Sequence, residues 1–101
     1  MEKTIYIAGK MRGKKDLGRG DFNAAESYLD WKGWTVINPA CLPIGLKDDR
    51  YMPICLAMLD AADAVCLLQD WEESEGARIE CMYAQMQGKN VYRGLEEVPE
   101  V

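Results

Sequence analysis

Short β-branched segments alternate with segments whose apolar residues recur at helical spacing, and this alternation restricts the chain more than any other feature of its sequence. Thr4-Ile5-Tyr6-Ile7-Ala8 is β-branched and aromatic and stops at Gly9, which predicts a buried first strand. Phe22, Ala25, Tyr28 and Leu29 then mark the apolar face of a first helix, with Asp21 as a candidate cap and Lys32-Gly33 as its stop. Trp34-Thr35-Val36-Ile37 reads as a second strand, ended by Asn38-Pro39 because the residue before proline is pushed out of helical geometry. Asp48 or Asp49 can cap a second helix with Met52, Cys55, Leu56, Leu59 and Ala62 on its buried side, and Pro53 fits only the first turn. Ala64-Val65-Cys66-Leu67-Leu68 suits a strand covered on both faces. Ala77, Cys81 and Ala84 mark a third helix ending at Gly88, and Val91-Tyr92 a last short strand.

Strand–helix alternation with short links predicts an α/β fold, a three-layer flavodoxin-like or Rossmann-like parallel sheet of about four to five strands. At 101 residues the chain has room for one such domain, expected over residues 1–94, with 95–101 as a loosely held acidic tail. No apolar run approaches the roughly 20 residues of a membrane helix, so a cytoplasmic protein with no membrane partner is expected. Cys41, Cys55, Cys66 and Cys81 form no C-x-x-C pair and histidine is absent, which argues against zinc; the cysteines read as small buried hydrophobes. Neither a metal nor any other cofactor is expected.

The net charge of -5 disfavours a nucleic acid polymer as partner. Basic residues gather in one glycine-rich loop, where Lys10, Arg12, Lys14, Lys15 and Arg19 face only Asp16. That loop is either a small-anion site or a solvated surface turn. It lacks the Lys-Ser/Thr of a P-loop, and no helix opens from its glycines as a dinucleotide fingerprint requires.

In open parallel sheets ligands bind beyond the carboxyl ends of the strands. This selects the loops Gly9–Gly20, Asn38–Asp49 and Gln69–Gly76 with the first turns after them, and demotes Asp63 to the opposite edge. In the third loop, Ser74 is a helix cap, a ligand hydroxyl or both, and Trp71 is a lid over a planar ligand or a packing staple. Glu80 falls beside Ala77 and Ala84 on the buried stripe of the third helix. A carboxylate there is costly unless it is hydrogen-bonded or retained for chemistry.

Together these residues resemble the nucleoside 2-deoxyribosyltransferase-like superfamily, and within it a small family of unknown function common in phages and the bacteria that carry them. The resemblance rests on Ile5-Tyr6-Ile7-Ala8-Gly9 with Met11-Arg12-Gly13, on Phe22-Asn23, Asn38-Pro39-Ala40 and Ala62-Asp63-Ala64-Val65, and most specifically on the W-x-x-S-x-G-A-x-x-E run from Trp71 to Glu80. The first segment is also similar to the Tyr-x-x-Gly-x-x-Arg-Gly motif of 2'-deoxynucleoside 5'-phosphate N-hydrolases.

The resemblance implies an N-glycosidase or deoxyribosyltransferase acting on a deoxynucleoside or its monophosphate. It implies Glu80 as nucleophile, Tyr6 as the group that positions it, and ligand binding by Gly9, Arg12, Gly13, Asn38, Asp70, Trp71, Ser74 and Gly76. A homodimer or larger assembly is expected on the same ground, the alternative being a degenerate domain that binds or senses a nucleotide. One position departs: where relatives carry an aspartate eight residues before the acid that opens the third strand, this chain has Cys55. Asp48, Asp49 or Asp70 would have to take over protonation of the leaving base.

Overall fold

The two residue periods separate along the chain in a computed structural model that describes residues 3–101. The strands are β1 (Thr4–Ala8), β2 (Thr35–Ile37), β3 (Ala64–Leu67) and β4 (Asn90–Tyr92), and the helices between them are α1 (Arg19–Trp31), α2 (Asp48–Asp60) and α3 (Glu75–Met86). Every strand pair is parallel, in the order β2-β1-β3-β4. This is the flavodoxin-like order less its last strand, as the alternation predicts.

Side-chain alternation on the central strands divides the core in two. Ile5 and Ile7 of β1, with Ala64 and Cys66 of β3, pack under Phe22, Ala25 and Leu29 of α1. Tyr6 and Ala8, with Val65 and Leu67, face Cys55 and Leu59 of α2 and Cys81 and Ala84 of α3. The helices therefore form one layer on each side of the sheet. β1 and β3 are neighbours whose exit loops lead to opposite layers, so a crevice opens beyond their carboxyl ends.

Several local expectations are corrected. α1 begins at Arg19, not behind Asp21, which lies in its first turn and pairs with Lys14. The loop has already coiled into a short 3-10 turn (Lys15–Gly18) before α1, with Asp16 and Leu17 both at positive φ, 56° and 52°. Gly18 follows at φ 75°, where a β-carbon would come within 2.8 Å of the Lys10 carbonyl oxygen, so glycine fits this junction. Tyr28 lies outside the buried stripe, 37% exposed, with its ring against Trp31.

At α2 the capping position is Lys47, and Asp48 and Asp49 both lie inside the first turn without capping it. Pro53 consequently sits in the second turn rather than the first, removing one helical N–H bond. Cys41 is exposed while the other cysteines are buried, and all are free thiols. The C-terminal segment is docked rather than loose: Val98 is buried in the α1-side core, Trp34 Nε1 donates to the Pro99 carbonyl at 2.8 Å, and Val101 N donates to Lys32 at 2.9 Å. Among the described residues no helix is long and apolar enough to cross a membrane.

Candidate active site

A cleft of about 810 Å³ opens beyond the carboxyl end of β1, walled by its exit loop and by the first turns of α2 and α3. Its floor is made by two side chains far apart in sequence. Tyr6 reaches it from β1 because even positions of that strand face α2 and α3, and Glu80 because it stands one turn after Ala77 on the stripe α3 turns toward the sheet. The Tyr6 hydroxyl donates to Glu80 Oε2 at 2.6 Å.

Glu80 is only 5% exposed. Burial raises its pKa from 4.5 to about 7, and the hydrogen bond from Tyr6 counteracts only part of that rise. The carboxyl is thus poised between its two protonation states near neutrality. Burial, with the neighbouring Glu80 charge, pushes the Tyr6 hydroxyl well above its ordinary value, so it remains a donor. Cys55 lines the same floor from α2, and burial raises its thiol to about 11.

The mouth of the cleft is stitched by charge. Lys10 pairs with Glu73 at 2.9 Å and Arg12 pairs with Asp48, joining the β1 exit loop to the approach to α3 and to the first turn of α2. Individually such exposed pairs are weak, about 0–1 kcal/mol. Ser74 caps α3 by accepting the Ala77 N–H at 3.1 Å, while its residue also lines the cleft. Gly9 brings the loop close over the end of β3, where a β-carbon would meet Leu68 at 3.0 Å.

Of the residues singled out in the sequence, the fold gathers Glu80, Tyr6, Gly9, Arg12, Ser74 and Gly76 around this cleft. Four others are not brought to its walls. The Asn38 amide turns toward α1, donating to Glu26 Oε1 at 2.9 Å, and its oxygen accepts the Ala40 N–H. Asp70 is paired with Lys14; burial works against its ionisation, but the Lys14 hydrogen bond and charge hold the carboxyl below its usual range. Trp71 packs half-buried against the α2–α3 side of the core, the staple rather than the lid. Gly13 takes positive φ, 77°, in the outer part of the loop.

Other cleft residues carried no motif: Tyr51, Met52, Ile44 and Leu46. The strand-end rule already covered them, because they lie in its selected loops or the first turn beyond. Among the acids able to replace the missing aspartate, Asp48 and Asp49 line the cleft and Asp70 does not.

The sequence matches the family described as a domain of unknown function, DUF4406, over residues 3–93. No curated protein matches it. Among solved structures, a 2-desoxiribosyltransferase from Leishmania mexicana is similar at 26% identity with a TM-score of 0.70, the alignment covering 88% of this chain. It covers 61% of that protein, so this chain spans well under its full length. The chain belongs to the DUF4406 family and has a nucleoside 2-deoxyribosyltransferase-like fold.

Proposed function

We propose that this protein cleaves the N-glycosidic bond of a deoxynucleoside or its 5'-monophosphate, with Glu80 as the nucleophile. The observation that carries this reading is the Glu80 carboxyl on the cleft floor, almost closed to solvent and held through one oxygen by Tyr6. Its second oxygen is left to attack. As it bonds to the anomeric carbon, the bond to the nucleobase nitrogen breaks through an oxocarbenium-like transition state, its electron pair leaving with the base. Water or a second base then attacks the same carbon, releasing the carboxylate and completing hydrolysis or transfer.

Supporting features are the cleft volume, within the range of about 300–1,000 Å³ usual for small-molecule sites, and the likeness to a protein titled a deoxyribosyltransferase. Asp49, which makes no salt bridge among the described residues, is the wall acid available to protonate the departing base, whereas Asp48 is paired as a carboxylate with Arg12. Arg12, Gly9, Ser74 and Gly76 are assigned to the sugar and its 5' substituent. An assembly of two or more copies belongs to the same proposal, with Ile79, Met82 and Met86 forming an exposed apolar stripe on α3. So does a reducing, cytoplasmic setting, in keeping with free thiols.

The test is incubation with a panel of deoxynucleosides and their 5'-monophosphates, following free base by chromatography. Base release should fall at least about 1,000-fold in Glu80→Gln, since the amide cannot form the glycosyl ester. Release that survives this substitution would contradict the assignment. A second reading, nucleotide binding without turnover, is favoured by Cys55: a thiol raised to about 11 gives little help to a leaving base. It predicts no release from any substrate, with a monophosphate still raising the melting temperature.

A further inference from the structure

We infer that the cleft selects against phosphorylated ligands, and that Asp48 sets this selectivity by occupying the Arg12 guanidinium that would otherwise receive a 5'-phosphate. The inference rests on the nucleoside-site reading above and narrows it from nucleoside or monophosphate to the uncharged nucleoside.

The cations lining the cleft, Lys10 and Arg12, are both already engaged, Lys10 with Glu73 at 2.9 Å and Arg12 with Asp48. Asp49, Glu75 and Glu80 also line it and make no salt bridge among the described residues. Carboxylates therefore outnumber cations along the walls. Lys14, the next cation of the same loop, is drawn away to Asp21 and Asp70. The amino-terminal end of α3, which by itself attracts anions, is already faced by Glu75 in its first turn, and Ser74 takes its Ala77 N–H.

A phosphate dianion reaching Arg12 has to draw the guanidinium from Asp48 and then lie beside the carboxylate it displaced. Breaking the pair is easy; the lasting penalty is the like charge left within a few ångströms. An uncharged sugar and base meet no such penalty. The Arg12 and Asp48 side chains are 72% and 73% exposed, so their charges can be changed without disturbing the core.

Equilibrium titration of the four common 2'-deoxynucleosides and their 5'-monophosphates into wild type, Asp48→Asn and Asp48→Asn/Arg12→Ala tests this. In wild type the best nucleoside should bind at least about tenfold more tightly than its monophosphate, and the gap should narrow as salt rises and screens the repulsion. Asp48→Asn should shift the monophosphate-to-nucleoside affinity ratio at least about tenfold toward the monophosphate, and Arg12→Ala on top should cancel the shift. A monophosphate that binds wild type more tightly than its nucleoside, a ratio unmoved by Asp48→Asn, or no binding by any of the eight compounds overturns the inference. Base release is a separate readout: selective binding without turnover sinks the glycosidase reading and leaves the charge selection standing.

Discussion

The two faces of the sheet begin from the same strands and end in different chemistry. On the α1 face, Ile5, Ile7, Ala64 and Cys66 join an apolar cluster with Phe22, Ala25 and Leu29, and Val98 from the C-terminal segment completes the packing. On the α2–α3 face, the position between the two isoleucines is Tyr6, fully buried, with its hydroxyl spent on a buried carboxylate. One face maximises apolar burial. The other accepts a polar pair whose desolvation is only partly offset by one short hydrogen bond. Side chains one residue apart on β1 thus belong to a stabilising layer and to a candidate reaction site, which is where local packing rules are expected to yield to function.

Truncation should separate the faces. Leu29→Ala removes a side chain with no solvent exposure from the α1 core and should cost about 2–5 kcal/mol in denaturant unfolding. It should leave ligand affinity in the surviving folded protein nearly unchanged. Leu59→Ala is equally buried, but α2 also supplies Tyr51, Met52 and Cys55 to the cleft, so a similar loss of stability should come with weakened binding. Equal effects of both substitutions on binding would erase the distinction drawn between the faces.

A smaller effect comes from pH. Glu80 holds its proton more tightly in the folded chain, at about 7, than at its ordinary 4.5. Its contribution to stability is therefore complete below pH 4.5 and is lost as pH rises through 7, a span worth at most about 3 kcal/mol. Glu80→Gln should flatten that part of the stability profile and match or exceed wild type above pH 7. A wild-type profile rising between pH 5 and 8, with the variant following it, would contradict the burial of an ionisable carboxyl at this position.

The sequence discloses the sheet order's ingredients and the Glu80 position because both follow from periodicity. A β-branched and aromatic run announces β1, a short continuous apolar run announces β3, and period-3.6 spacing places Glu80 with Ala77 and Ala84. What it conceals depends on partners remote along the chain. Asn38 reads as a site residue because it ends β2 beside the right loop, yet its amide is used up on Glu26 and Asn23 of α1. Asp70 is claimed by Lys14, 56 positions earlier. The start of α1 escapes local rules because Leu17, following Asp16, adopts a left-handed backbone that a leucine does not advertise. Pro53 sits a turn deeper in α2 than its usual place, tolerated on the exposed side of that helix.

A single acid, Glu80, is shielded at the cleft floor and held by Tyr6. Carbon-detected NMR of the Glu80 carboxyl across pH, in wild type and in Tyr6→Phe, measures that acid directly. The wild-type midpoint should fall near 7, and loss of the Tyr6 hydroxyl should move it higher, since that bond favours the charged form. A midpoint near 4.5 that ignores the Tyr6 substitution would contradict the account.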